Sequence, residues 1–389
     1  MLALLFLLLP VAVAYGWYMG SRSTQQKKQR RTGKLSRQYV TGLNFLLSDQ
    51  PDKAVDLFIE LLEVDKETID THLALGNLFR KRGEVDRAIR IHQNLIARPS
   101  LSFEHRSLAM MQLAKDYVAA GLYDRAEVIF DELTDDPDHE VSALKQLLCI
   151  YQRMKEWKQA IAVANRLIKA GDKGMSLPLG HFHCELGLLE ARQNNEKKAL
   201  TLFKRALSID PNCVRANIES AKALIKLKQF ESAVEHLTAI IKQDPNLVSE
   251  TVFLLKVCFS ELGERQALEQ YLRAALAQGA GMRVAIELAQ QEAERVSNEA
   301  ALALIQTELK KQPTLTGFHA LMEFHLKGAE EGSAKNSLQL LKEIVADQVR
   351  LRPAYRCTKC GFSSQALNWQ CPSCRNWGKV KPIRGLDGE

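Results

Sequence analysis

Residues 197–207 read KKALTLFKRAL and residues 231–241 read ESAVEHLTAII. Around Ala199 in the first and Ala233 in the second, apolar residues recur at three- and four-residue steps, the pattern of an amphipathic helix. The signature returns at DKAVDLFIELL (52–62), DRAIRIHQNLI (86–96), DRAEVIFDEL (124–133), KQAIAVANRLI (158–168) and RQALEQYLRAAL (265–276). The alanines Ala54, Ala88, Ala126, Ala160, Ala199, Ala233 and Ala267 are thus spaced by 34, 38, 34, 39, 34 and 34 residues. Such a period holds two helices and their turns. Twelve residues before each alanine stand Gly42, Gly76, Ala114, Leu148, Gly187, Ala221 and Leu255. Phe45, Phe79, Tyr117 and Tyr151 fall nine before, and Phe58, Phe130, Phe203 and Tyr271 four after. Small residues let paired helices approach closely, and aromatics fill the groove between them. Pro211 and Pro245, each within Asp-Pro-Asn, end two of the second helices.

On these residues the chain resembles the tetratricopeptide repeat family over residues 36–350, which predicts an all-α solenoid of about seven or eight repeats. An eighth alanine, Ala300, lies in surroundings without the aromatics, so repeats seven and eight read as degenerate. A last helical pair from about Thr316 to Val349 caps the stack. RPSLSFEH (98–105) and AGDKGMSLPLG (170–180) read as connectors, the second as a hinge between sub-stacks. In this family the first helix of each pair lines a concave binding face. Asp70, Leu73, Asn77 and Arg80, a helical stripe beside the packing residues Leu75, Gly76 and Phe79, are therefore candidates for partner contact.

The amino-terminal residues Leu2–Met19 carry no charge, and as a helix would reach roughly 27 Å. The basic residues Arg22, Lys27, Lys28, Arg30, Arg31, Lys34 and Arg37 follow the apolar run rather than precede it, the reverse of a secretory signal. Residues 1–20 are thus expected to be a single transmembrane anchor and 21–35 a basic juxtamembrane segment. The positive-inside rule places the amino terminus outside and the bulk of the chain in the cytoplasm.

Near the carboxyl terminus stand Cys357-Thr-Lys-Cys360-Gly361 and, after ten residues, Cys371-Pro-Ser-Cys374. Two C-x-x-C knuckles offer four thiolates, a set suited to one closed tetrahedral site holding zinc or iron. The expected domain, 353–389, is similar to the two knuckles of rubredoxin with a shorter spacer. Trp369 and Trp377 bracket the second pair and are expected to cover a core too small to bury much else.

With 53 basic and 46 acidic residues the charge is +7, but it is uneven. Arg350, Arg352, Arg356, Lys359, Arg375, Lys379, Lys381 and Arg384 surround the knuckles without one acid between 350 and 384, so two basic ends flank a mildly acidic body. That ribbon charge suits the phosphates of lipid or nucleic acid, or the acidic solenoid itself. Phosphate-binding loops, nucleophile elbows, H-E-x-x-H and dinucleotide fingerprints do not occur, so the sequence lends catalysis no support. Cys149, Cys184, Cys213 and Cys258 read as buried small hydrophobes, and His181 and His183 as filler at a repeat start.

The order of anchor, basic strip, repeats and CTKCG…CPSC knuckles resembles the lipopolysaccharide assembly protein B family of Gram-negative bacteria over essentially the whole chain. The resemblance implies a non-enzymatic inner-membrane adaptor that promotes degradation of the lipid A pathway deacetylase by a membrane-bound AAA+ metalloprotease, restrained by a lipopolysaccharide-sensing inner-membrane protein. Lipopolysaccharide or anionic lipid, and a second copy of the chain as a homodimer, are further partners this reading admits. Two rivals are a nucleic-acid protein using the basic ribbon, whose knuckles also resemble those of the Sms repair ATPases, and an electron carrier with a rubredoxin-like iron centre. The first lacks the phosphate-binding loop of that family; the second requires visible absorbance that reduction bleaches.

Overall fold

The computed structural model describes residues 69–99, 101–386 and 388, with isolated positions at 15, 17–19, 40–42, 44, 45, 53 and 57. Most of the expected span Leu2–Met19, all of segment 21–35 and the repeat alanine Ala54 with Phe58 lie outside the described residues. Among the described residues no helix is long and apolar enough to cross a membrane.

The chain divides into two compact units, Met1–Ile150 and Tyr151–Glu389. The first holds α1 (Ile69–Lys81), α2 (Val85–Ile96), α3 (Phe103–Ala119), α4 (Tyr123–Glu132), a 3-10 turn at Leu133–Asp135 and most of α5 (Glu140–Met154). The second continues with α6 (Trp157–Lys169), α7 (Ser176–Arg192), α8 (Glu196–Ile209), α9 (Val214–Lys226), α10 (Phe230–Gln243), α11 (Val252–Leu262), α12 (Arg265–Ala277), α13 (Met282–Arg295), α14 (Asn298–Lys311), α15 (Leu315–Lys327) and α16 (Ser333–Leu351). Three short strands complete it, β1 (Tyr355–Cys357), β2 (Ser363–Ser364) and β3 (Val380–Pro382). The division falls inside α5, not at the connector 170–180 where a hinge is expected. That connector is tied down: Asp172 accepts the Gly174 N–H at 3.2 Å, a 3-10 turn spans Lys173–Met175, and α6 packs against α7.

The turn within successive helix pairs uses one device. Gly83, Gly121, Lys155, Asn194, Lys228 and Gly263 each adopt positive φ, between 59° and 84°. The next residue's N–H then bonds the carbonyl five back, as Glu84 does to Phe79 (2.9 Å), Asn195 to Glu190 (3.0 Å) and Glu264 to Phe259 (3.0 Å). This is the Schellman closure, which satisfies carbonyls that the helix end would leave bare.

Each such turn sets the register of the second helix in its pair. Ala88, Ala126, Ala160, Ala199 and Ala233 are each the fourth residue of their helix and fully buried. In α12 and α14 the fourth, fully or nearly buried residues are Leu268 and Ala301, while Ala267 and Ala300 are only half-buried. The expected register is therefore off by one in repeats seven and eight. At repeat seven the cause is a seven-residue 3-10 segment, Pro245–Thr251, which replaces the usual short connector and delays α11.

The spacing rule for small and aromatic residues has a direct geometric basis. A Cβ on Gly187 would lie 2.5 Å from the Phe203 ring, so this glycine and this ring, twelve before and four after Ala199, pack face to face. Gly76 meets His92 in the same way at 2.4 Å. Histidine thus occupies the aromatic place of the repeat at Ala88, which a pattern of Phe and Tyr alone does not reveal.

Candidate metal centre

The ribbon is a three-stranded antiparallel sheet, ordered β2-β1-β3, with Tyr355 opposite both Ser364 and Pro382 and Cys357 opposite Val380. Each knuckle closes through a left-handed residue directly after its second cysteine, Gly361 (φ 79°) and Arg375 (φ 56°). The Gly361 N–H then bonds the Cys357 carbonyl and the Arg375 N–H the Cys371 carbonyl, both at 2.9 Å. Backbone N–H groups of Lys359 and Cys360 face the Cys357 sulfur, and those of Ser373 and Cys374 face Cys371. The Asn376 N–H and side chain draw the Cys374 thiol down to about 6, whereas burial pushes Cys371 up to about 11.

The four expected cysteines come together. Their sulfurs all lie within 4.8 Å of one another, with Cys357–Cys374 at 3.7 Å and Cys360–Cys371 at 3.6 Å. A tetrahedral thiolate site with metal–sulfur bonds near 2.3 Å has edges of about 3.8 Å, so this donor set fits one ion of zinc or iron type. All four positions are filled by sulfur. Such a closed shell serves folding, which it couples to metal binding.

The tryptophans do not cover the metal. The small core of the ribbon is Tyr355, Cys357, Cys371 and Val380, with Phe362 and Leu367 beside it. Trp377 instead turns to the helices, 4.9 Å from the His181 ring and stacked on it, and edge-on to Phe182 (5.8 Å) and Trp157 (6.3 Å). Its indole N–H donates to Gln152 Oε1 at 3.1 Å, which also accepts from Gln370. The Arg215 guanidinium lies over both Trp369 and Trp377 at about 6 Å and is held by Glu185 at 2.8 Å. A domain this small gains more by burying its indoles against a ready-made stack than within itself.

Polar contacts extend this seat along the second unit. Tyr355 donates to Glu250 at 2.8 Å, Lys381 pairs with Asp244, and Arg384 reaches Asn246 Oδ1 at 3.3 Å. Burial alone would raise Asp244, but the Lys381 ammonium and Asn246 hold its carboxyl below the usual range. Burial, then Arg215 and Lys381, depress His181 from its ordinary 6.5 to about 3, so it stacks as a neutral ring. Burial and Glu250 push Tyr355 up to about 12. The acidic body thus meets part of the ribbon's basic charge. Gln152, His181, Arg215, Asp244 and Glu250 carry no motif; the signal in the sequence that points to the seat is the ribbon's basic charge, for which the acidic solenoid is one expected partner.

In the first unit the four partner candidates are placed differently from one another. Asp70 is exposed in the first turn of α1, whereas Leu73 packs against Ile69, Leu95, Leu101 and Ala109. Asn77 accepts from Arg80 at 2.6 Å, and Arg80 donates to the fully buried Asp116 at 2.7 Å. Asp116 also holds His92 Nδ1 at 2.5 Å. Of the other cysteines, Cys184 and Cys213 are buried 4.0 Å apart, Cys258 is buried, and Cys149 is half-buried. Cys213 precedes α9 as its cap residue rather than lying within a helix.

Fold and site together define a helical-repeat scaffold that carries a rubredoxin-type metal ribbon. Family models described as tetratricopeptide repeat match residues 71–106, 145–213 and 190–250, and one described as rubredoxin metal binding domain matches 355–382. Lipopolysaccharide assembly protein B of Escherichia coli K12 is 50% identical over 100% of both chains. Its namesake in Haemophilus influenzae is 42% identical over 98% of each. The chain belongs to the lipopolysaccharide assembly protein B family. Among solved structures, MamA covers 47% of this chain and 95% of its own at 19% identity, with a TM-score of 0.34.

Proposed function

We propose that this chain is a non-enzymatic adaptor of the inner membrane that regulates lipopolysaccharide synthesis by delivering the lipid A pathway deacetylase to a membrane-bound AAA+ metalloprotease. The observation that carries the reading is the 50% identity to lipopolysaccharide assembly protein B across the full length of both chains, repeats and ribbon included. The physical design is compatible. Repeats present a long surface for protein partners, and a closed thiolate shell maintains structure. An amino-terminal anchor at Leu2–Met19, with the bulk of the chain on the cytoplasmic side, would raise the effective concentration of a soluble client beside a membrane protease. A lipopolysaccharide-sensing membrane protein would restrain the adaptor in this scheme.

The test is affinity purification of the tagged full-length chain from its own membranes after mild crosslinking, combined with the deacetylase half-life. The expected result is co-recovery of protease and deacetylase, and a longer deacetylase half-life when Leu2–Met19 is deleted or Cys371 and Cys374 become Ser. An unchanged half-life in both variants would refute the adaptor role.

A further inference from the structure

The ribbon, from Arg352 to Leu386, contains seven basic residues and no acid. The fold sorts these by direction. Lys381 and Arg384 turn to the helices, where they meet Asp244 and Asn246, and Arg352 donates to the Leu386 carbonyl. Arg356, Lys359, Arg375 and Lys379 stay exposed. The knuckles bring three of them together: Lys359 reaches Asn376, the neighbour of Arg375, at 3.0 Å, and the Thr358 N–H bonds the Lys379 carbonyl at 2.8 Å. Arg356 stands on β1 directly opposite Lys381, a like-charge cross-strand pair with a carboxylate on one member only. Among the described residues none of the four is paired with a carboxylate. A tetrathiolate holding a divalent ion offsets only two charges.

What is missing from this rim narrows its partner. Within the ribbon no aromatic side chain is exposed, because these residues face its own core or the helical seat, and the exposed large aliphatic residues, Leu386 and the preceding Leu351, stand only at its two ends. A protein interface draws its energy from buried aromatic and aliphatic anchors, and single-stranded nucleic acid from stacking on exposed rings. Charge without anchors suits a surface that is itself a field of anionic headgroups, where attraction grows with each basic residue and needs no shaped pocket. We propose that Arg356, Lys359, Arg375 and Lys379 form a docking face for the anionic lipid headgroups of the membrane surface, giving the chain a second membrane contact far along the sequence from its amino terminus. The inference rests on the membrane-anchored reading of the proposed function.

The experiment places the full-length metal-loaded chain in nanodiscs of phosphatidylcholine alone or with phosphatidylglycerol, and measures amine acetylation residue by residue by mass spectrometry. Lys226, exposed on the helices, is the internal control. Co-elution with zwitterionic discs tests the anchor separately; a chain that fails to incorporate is assayed instead on preformed vesicles of the two compositions. The expected result is severalfold slower acetylation of Lys359 and Lys379, but not Lys226, in phosphatidylglycerol, reversed by high salt. At about fivefold per basic residue, replacing Arg356 and Arg375 by Gln should cut the membrane partition of the rim by roughly 25-fold, with metal content unchanged. Equal rates in both lipid compositions, or protection by a duplex oligonucleotide and not by phosphatidylglycerol, would overturn the proposal.

Discussion

At the residue scale, glycines in the stack differ sharply in what they tolerate. Gly187→Ala drives a methyl into the fully buried Phe203 ring, and a loss of about 1–3 kcal/mol is expected in urea unfolding of the full chain. Gly180→Ala, whose nearest neighbour would be 3.4 Å away, should be neutral or gain up to about 1 kcal/mol from helix propensity. Equal effects of the two would contradict the packing argument. The glycine–ring rule is legible in sequence wherever the ring is Phe or Tyr and not where it is His92, because the site selects for a flat ring whereas a hydrophobic pattern passes over histidine. His181 supplies a pH test. Its folded pKa, about 3, lies below the unfolded 6.5, so below pH 6.5 the unfolded chain takes up a proton that the folded one refuses. Stability therefore falls as the solution is acidified through that window, by about 1.4 kcal/mol per pH unit for this one group. His181→Phe keeps a stacking ring that does not titrate, and its unfolding free energy should decline less steeply between pH 6 and pH 4 (about the middle of the window).

At the scale of elements, the left-handed turn residue is the strongest organiser of the helix pairs. Lys228 adopts positive φ without being glycine, which costs about 1 kcal/mol, so Lys228→Gly should leave thermal stability unchanged or slightly raised although glycine loosens the unfolded chain. A marked fall in Tm would show that the lysine side chain does something the turn does not explain. Connectors also account for where sequence reading stops. Periodicity finds the helices because burial repeats every three or four residues, but the slip at Ala267 arises where Pro245–Thr251 lengthens a connector that periodicity does not see. The ribbon shows the same division. Its ligands are legible because two C-x-x-C knuckles ten residues apart present the four thiolates of a closed tetrahedral site. Its seat is not, since Gln152, Asp244 and Glu250 are ordinary surface residues until the chain brings them together. Trp377→Ala should therefore spare metal content yet free the ribbon from α6 and α7, at a cost of about 3–5 kcal/mol. Limited proteolysis after residue 351, with the metal quantified in the released fragment, distinguishes release from unfolding.

At the scale of the molecule, the metal and the helical stack stabilise each other through the ribbon. Thiolates without an ion repel one another and each must protonate or separate, so removing the metal should melt the strands first and the seat with them. Thermal unfolding of the second unit followed with and without a strong chelator should show a Tm lowered by several degrees, since even about 1 kcal/mol is worth roughly 2–4 °C in a unit of this size. An unchanged Tm would mean that the docked ribbon contributes nothing to the helices beneath it. The chain has four tryptophans, and Trp157, Trp369 and Trp377 all converge on that seat. The purified protein is in effect its own fluorescent probe: a red-shifted emission reports the ribbon leaving the stack in real time, without any label.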